Sequence, residues 1–348
     1  MDLKKKRLDY LDFSKCIAIF LVIWGHASPN GSSPAYRVAL YSFHMPLFFL
    51  VSGMVVSRHR HSYDKEHWKN FIIKNITTLL VPYLIWGAIY SNFSCVNFIK
   101  LFYGSWEVIN SIGTLTSLWF LPCLFTARIL VEIVLMLSWK VKQIPRHLFG
   151  FFAAIGFFCI AFLMPKLPIG YPLCFNVACM ASGLILSGYA IKGFVSNLPK
   201  TRAWVYLIAA AAFGGLLLFG QLIQGDEPFL MLMTTAKYGS PVMFFLNAFA
   251  GIGMVISFSV FLTVVLENST KIKRFMLWTG RNTVGIFLLH KPFLQEVIMP
   301  AVSATFVAVP IALQCLIGAT AAFVFAAAGC LVINRFVPAL FGASKNAG

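Results

Sequence analysis

Charge is what this sequence has least of. Only 11% of its 348 residues are Asp, Glu, Lys or Arg, where a soluble chain carries roughly 25%. Hydrophobic residues make up 59%. That is more apolar surface than a water-soluble fold of this length can bury, so a bilayer must solvate most of it. Acids are scarcer still: 11 Asp and Glu stand against 28 Lys and Arg. A net charge of +17 would suit a nucleic-acid binder if the cations were gathered in one domain with stacking aromatics. They are spread through short connections between apolar runs, which excludes that class and points to membrane topology and lipid headgroups. A CxxC pair is also missing, as is any Cys/His spacing suited to zinc, so no metal site is expected. Seven of the 8 cysteines lie in or beside apolar runs, where cysteine behaves as a small hydrophobe, and no disulfide is expected. The first apolar run lacks a small-residue cleavage site, so it is expected to remain in the protein.

What the sequence has is apolar runs of spanning length from end to end. They lie near 11–27, 37–57, 71–91, 118–139, 147–164, 172–192, 203–223, 241–266, 282–298 and 310–334, and each suits a bilayer of about 30 Å. The expected fold is therefore all-α and polytopic, about ten transmembrane helices forming one integral-membrane unit across residues 1–348. The longest connection, about 92–117, is too short for a soluble domain. Charge checks the count. With the N-terminus inside, twenty basic residues fall in inner segments and four, Arg37, Lys100, Lys166 and Lys237, in outer ones. The bias alternates correctly at every connection and puts both termini inside.

The remaining cations, Lys15, Lys74, Arg128 and Lys291, fall within spans, where an ionisable group is costly and faces a cavity or a partner. Lys74 sits close enough to the inner end to reach the headgroups. In the first span Lys15 and His26 project from nearly the same face, about 16 Å apart, and Asp12 lies one turn before Lys15 and can pair with it. A headgroup anchor plus an interfacial histidine would explain the same stripe. The second span places His44 about two turns in, just before Pro46, at the depth of His26. A proline inside a spanning helix frees backbone groups and usually kinks the helix beside a cavity. Farther along, Ser52 and Gly53 permit close helix packing. Arg58 and Arg60 then stand at the inner mouth, either as phosphate contacts or as ordinary topology charge. His59, His61 and His67 read as a solvated basic loop, not a metal site. In the fourth span Arg128 is followed one turn later by Glu132, and the two can neutralise each other. The ninth span joins His290 and Lys291 to Pro292, a charge and a kink at one point, which suggests a polar cavity inside the bundle.

At these residues a family becomes recognisable. Arg7-Leu8-Asp9-Tyr10-Leu11-Asp12-Phe13-Ser14-Lys15, the run ending in Val22-Ile23-Trp24-Gly25-His26, and Phe43-His44-Met45-Pro46-Leu47-Phe48-Phe49-Leu50-Val51-Ser52-Gly53 resemble the acyltransferase-3 family of membrane acyltransferases, most of all its fucose 4-O-acetylase-like branch. Leu118-Trp119-Phe120-Leu121 and Leu289-His290-Lys291-Pro292 are weaker echoes. The resemblance implies an O-acyltransferase of the bacterial inner membrane, most readily an O-acetyltransferase. It would use a cytoplasmic acyl-CoA, acetyl-CoA first, as donor substrate with no resident cofactor. A hydroxyl on a cell-envelope glycan or lipid-linked sugar would be the acceptor. The family's essential histidine falls on His26. The family often has Arg where this chain has Lys15, which keeps the charge and loses bidentate recognition.

On this basis His26, His44 and Arg128 are the expected catalytic residues, His26 as base or transient acyl acceptor and the other two stabilising the thioester oxyanion. Asp12, Lys15, Arg58 and Arg60 are the expected donor-binding set. Ser52, Trp119, Glu132, His290 and Lys291 are expected to line the cavity. The alternative is a polysaccharide or small-metabolite transporter or flippase, which would equally use kinked helices and midplane charges. The halves of the sequence show no clear internal repeat, which weighs against it. A scaffold in an envelope-polymer assembly would leave His26 and Arg128 without a task.

Overall fold

The structure, a computed structural model, describes residues 8–28, 36–56, 63–141, 143–196, 202–224 and 230–342. It is all-helical apart from a single antiparallel bridge between Leu232 and Lys237. In chain order the helices are α1 (Asp9–His26), α2 (Tyr36–Val55), α3 (Lys65–Asn75), α4 (Val81–Tyr90), α5 (Cys95–Tyr103), α6 (Trp106–Asn110), α7 (Phe120–Lys140), α8 (Arg146–Leu163), α9 (Phe175–Ser196), α10 (Ala203–Leu222), α11 (Pro241–Val265), α12 (Thr270–Arg281), α13 (Thr283–Pro292), α14 (Met299–Thr305) and α15 (Ile311–Phe336). Below, the Asp9 end of α1 is called inner and its His26 end outer, after the charge bias.

Among the described residues, 8 helical stretches are long and apolar enough to cross a membrane. They match eight of the ten expected spans. The other two depart for physical reasons. α1 carries Asp9, Asp12 and Lys15, and it can do so because α2, α11, α12, α13 and α15 all pack against it. The ninth span is not one α-helix: α13 ends at Pro292, a π-helical stretch covers Phe293–Ile298, and α14 follows. Pro292 donates no backbone hydrogen bond, and the ladder widens beside it. The same happens between α3 and α4, where a π stretch, Ile76–Leu80, precedes Pro82.

Burial separates core helices from lipid-facing ones. In the spanning windows of α2 and α9, 67% and 78% of residues are buried, against 22% for both α8 and α10. Exposed Phe151, Phe152 and Leu163 on α8, and Ile208, Leu218 and Leu222 on α10, are therefore surface for acyl chains. α2 and α9 cross at two glycines. A Cβ on Gly53 would land on the Ile185 carbonyl, and one on Gly188 on the Leu50 carbonyl. Backbones meet there, as small residues allow in membrane bundles. Within residues 267–281, read from sequence as a basic connection, Thr270–Arg281 forms α12. Its Gly280 lies directly on the Asp12 backbone of α1, where a Cβ would strike the carbonyl, and Lys273 pairs with Asp9 at 3.2 Å.

Candidate active site

Two cavities meet between α1, α2, α7 and α13. The inner one, about 440 Å³, is lined by Lys15, Lys74, Arg128 and Arg281 among Ser52, Phe48 and Phe120. A side recess of about 310 Å³ shares Ser52, Lys74 and Arg128 with it and adds Asn75 and Glu132. The cations are held from behind. Buried Asp12 faces Lys15 at 3.4 Å and Arg281 at 3.5 Å, tying α1 to α12. Arg128 donates to Asn75 Oδ1 at 3.0 Å, and Asn75 in turn donates to the Phe71 carbonyl at 2.8 Å. Guanidinium and ammonium groups so placed, in a partly apolar cleft, present an anion-binding surface.

The outer chamber is small, about 40 Å³, and is lined by His26, Tyr41, His44, Ser117, Trp119 and the segment Met231–Thr234. His26 ends α1 and His44 follows the first two turns of α2. Tyr41 Oη accepts from Arg37 at 3.2 Å, donates to the Gly25 carbonyl at 3.3 Å, and lies 3.5 Å from His26 Nδ1. With its one proton so used, Tyr41 can only accept from Nδ1–H, which leaves His26 Nε2 as the basic nitrogen. His44 Nδ1 donates to the Leu40 carbonyl and His290 Nδ1 to the Phe287 carbonyl, each at 2.6 Å. The His290 ring lies 5.5 Å from that of His26, and its Nε2 is buried with no hydrogen-bond partner among the described residues. Met45 and Phe287 line both cavities and form the wall between them.

The acyltransferase domain of the acyltransferase-3 family matches residues 8–335, nearly the whole chain. The protein belongs to this family. It is a membrane acyltransferase. No curated protein and no solved structure matches the chain.

In this acyltransferase the expected site residues fall into two groups. His26, His44 and Trp119 line the outer chamber, and His290 stands beside His26. Lys15, Ser52 and Arg128 line the inner cavity, and Glu132 its recess. Arg128 thus lines the inner cavity with Lys15, Lys74 and Arg281 and does not line the chamber that holds His26 and His44. His44 cannot stabilise an oxyanion as a neutral ring, since its one N–H is given to Leu40. Nor does Arg128 neutralise Glu132: the Glu132 carboxylate binds His67 of α3 at 2.7 Å, across helices instead of along one. Asp12 braces Lys15 and Arg281 and does not itself line the inner cavity. Lys291 is buried and lines neither cavity. Arg58 and Arg60, with His59 and His61, lie outside the described residues. Among the described residues no three His, Cys, Asp or Glu gather as metal ligands.

Sequence reasoning missed Tyr41, Ser117, Arg281 and the wall residues Met45 and Phe287. Arg37, Tyr41 and His44 do recur on one face of α2, at one-turn spacing, a signal legible in the sequence once His44 is singled out.

Proposed function

We propose that the acyltransferase moves an acetyl group from cytoplasmic acetyl-CoA to a hydroxyl of a bacterial cell-envelope glycan, in the manner of fucose 4-O-acetylases. The observation that carries this reading is the meeting of a four-cation cavity and a histidine chamber at one thin wall. Nucleotide phosphates would rest against Lys15, Lys74, Arg128 and Arg281, and the thioester would pass Met45 and Phe287 towards His26. There the acceptor oxygen attacks the thioester carbonyl carbon while His26 Nε2 takes its proton. The C–S bond breaks, and the leaving thiolate takes the proton back from the imidazolium. Tyr41 holds the His26 ring through Nδ1. Ser117 and Thr234, both lining the chamber, are hydroxyl donors on hand for the oxyanion.

The test is the ester-linked acyl content of envelope glycans in a null strain complemented with wild type or His26→Ala, with membrane levels of both measured. Wild type should restore the ester and the variant should not. Equal restoration removes His26 from catalysis. If no glycan ester depends on the protein, the acceptor is not an envelope glycan.

A further inference from the structure

Cations are rare at the outer end of the bundle, where the charge bias leaves Arg37, Lys100, Lys166 and Lys237. Two of these four have protein partners: Arg37 donates to Tyr41 and Lys100 to Ser111, each at 3.2 Å. Lys166 and Lys237 instead line one outer pocket, about 470 Å³, with Phe162, Met164, Asn176 and Tyr238. No carboxylate lines this pocket, and among the described residues none pairs with either lysine. The inner cations differ, since Lys15 and Arg281 share Asp12. The pocket lies where α8 ends. That helix faces lipid, and its last residue, Leu163, is 82% exposed. Two ammonium groups without a counter-ion at that depth present a site for a phosphate at the membrane surface.

The outer pocket also adjoins the histidine chamber. The antiparallel bridge joins Leu232, which lines the chamber, to Lys237, which lines the pocket. Their backbones exchange hydrogen bonds of 3.0 Å in both directions, which sets the two Cα atoms about 5.5 Å apart. One residue pair therefore stands between the lysines and the chamber. We infer that Lys166 and Lys237 bind the phosphate that joins the acceptor sugar to a membrane lipid, so that the acceptor is acylated while still on its lipid carrier. The inference rests on the transfer reading given above. The lipid tail lies against the exposed apolar face of α8, and the phosphate rests between the two lysines. Asn176 adds an amide N–H donor for a phosphate oxygen. The sugar passes Leu232 and brings its hydroxyl to His26. The acyl donor does not need this pocket, because the four inner cations that would hold its phosphates lie beyond Met45 and Phe287.

The experiment uses the full-length protein in proteoliposomes with acetyl-CoA as donor and two acceptors. One is the diphosphate-linked lipid glycan extracted from null-strain membranes, and the other is the same glycan released from its lipid by mild acid. Ester formation is followed on each. Wild type should show the lower KM for the lipid-linked acceptor. Lys166→Gln and Lys237→Gln should each raise that KM about two- to fivefold, and the double variant about tenfold, as partly screened cation–phosphate contacts do. The KM for free glycan, the KM for acetyl-CoA and kcat should stay within about twofold. The double Lys→Arg variant keeps both charges and should keep the wild-type values. An unchanged KM for the lipid-linked acceptor in the double Gln variant makes the lysines ordinary headgroup contacts and overturns the proposal. An equal rise for both acceptors overturns it too, because the lysines would then bind the glycan itself. If the double variant fails to fold, wild type decides: equal KM values for the two acceptors sink the phosphate site and leave the transfer reading intact. No ester on either acceptor counts against the transfer reading, and the phosphate site falls with it.

Discussion

Lys15, Lys74, Arg128 and Arg281 line the inner cavity without a carboxylate among its walls, whereas the outer chamber is lined by His26 and His44 without a lysine or arginine. The two regions touch through Met45 and Phe287, yet their chemistry does not mix. A fixed cation can clamp an anion but cannot take a proton from a hydroxyl. An imidazole lone pair can take that proton but grips an anion weakly. Keeping the two apart lets each be braced in its own way. The cations are held from behind, by Asp12 and Asn75. The imidazoles are oriented through Nδ1 by Tyr41, the Leu40 carbonyl and the Phe287 carbonyl. In kinetic terms the inner residues should act on donor KM and the outer ones on kcat.

The largest effect tests the outer side. His26→Ala should lower kcat by about 10²–10⁴-fold, the span of general-base contributions, with donor KM nearly unchanged in membrane assays of thiol release. A KM change of similar size would mean that the regions are not separate. Next comes the inner side. Arg128→Ala or Lys15→Ala should raise the KM for acetyl-CoA by about 10–100-fold, the worth of one charged hydrogen bond, and leave kcat within a few-fold. A fall confined to kcat in either variant would place that cation at the reacting atoms instead. The third change is built to strike both regions. Gly188→Ala puts a Cβ on the Leu50 carbonyl where α9 crosses α2, and overpacking of this kind costs about 1–3 kcal/mol. Since α2 carries His44 and Met45 outward and Ser52 inward, thermal stability should fall and kcat and KM should move together.

Much of the bundle was legible because spanning helices announce themselves locally. The run at 203–223 became α10 (Ala203–Leu222) and that at 241–266 became α11 (Pro241–Val265), each set by local hydropathy alone. The matched depth of His26 and His44 followed from helix rise. The partners of the buried charges did not follow, because a sequence displays only neighbours along one helix. Arg128 and Glu132, one turn apart, invited pairing, yet each is satisfied from the segment that holds Asn75 and His67. Arg281 reaches Asp12 across 269 residues, a distance no local pattern spans. α12 was hidden for another reason. Its Lys271, Lys273 and Arg274 read as topology charge, and the apolar residues that make the segment amphipathic, such as Ile272, Phe275 and Met276, are too few for a spanning signal.

The smallest expected effect has the opposite sign and concerns the acid that lines the side recess of the inner cavity. Glu132 is 2% exposed and lines the recess beside Arg128 and Lys74, where an anionic donor would meet its charge. Its carboxylate also meets the His67 ring at 2.7 Å. Glu132→Gln keeps an acceptor for the His67 ring, so the link from α7 to α3 survives, and removes the charge. Donor KM should then fall, by an amount comparable to a partly screened ion pair, about 0.2–1 kcal/mol, or at most about fivefold, with kcat unchanged. Glu132→Ala is the matching control: it removes the charge and the hydrogen bond together, so its thermal stability should drop where that of Glu132→Gln does not. A KM that rises in Glu132→Gln would show that the carboxylate receives a hydrogen bond from the donor instead of opposing its phosphates. The inner cavity would then be a mixed site, no longer the purely cationic counterpart of the histidine chamber.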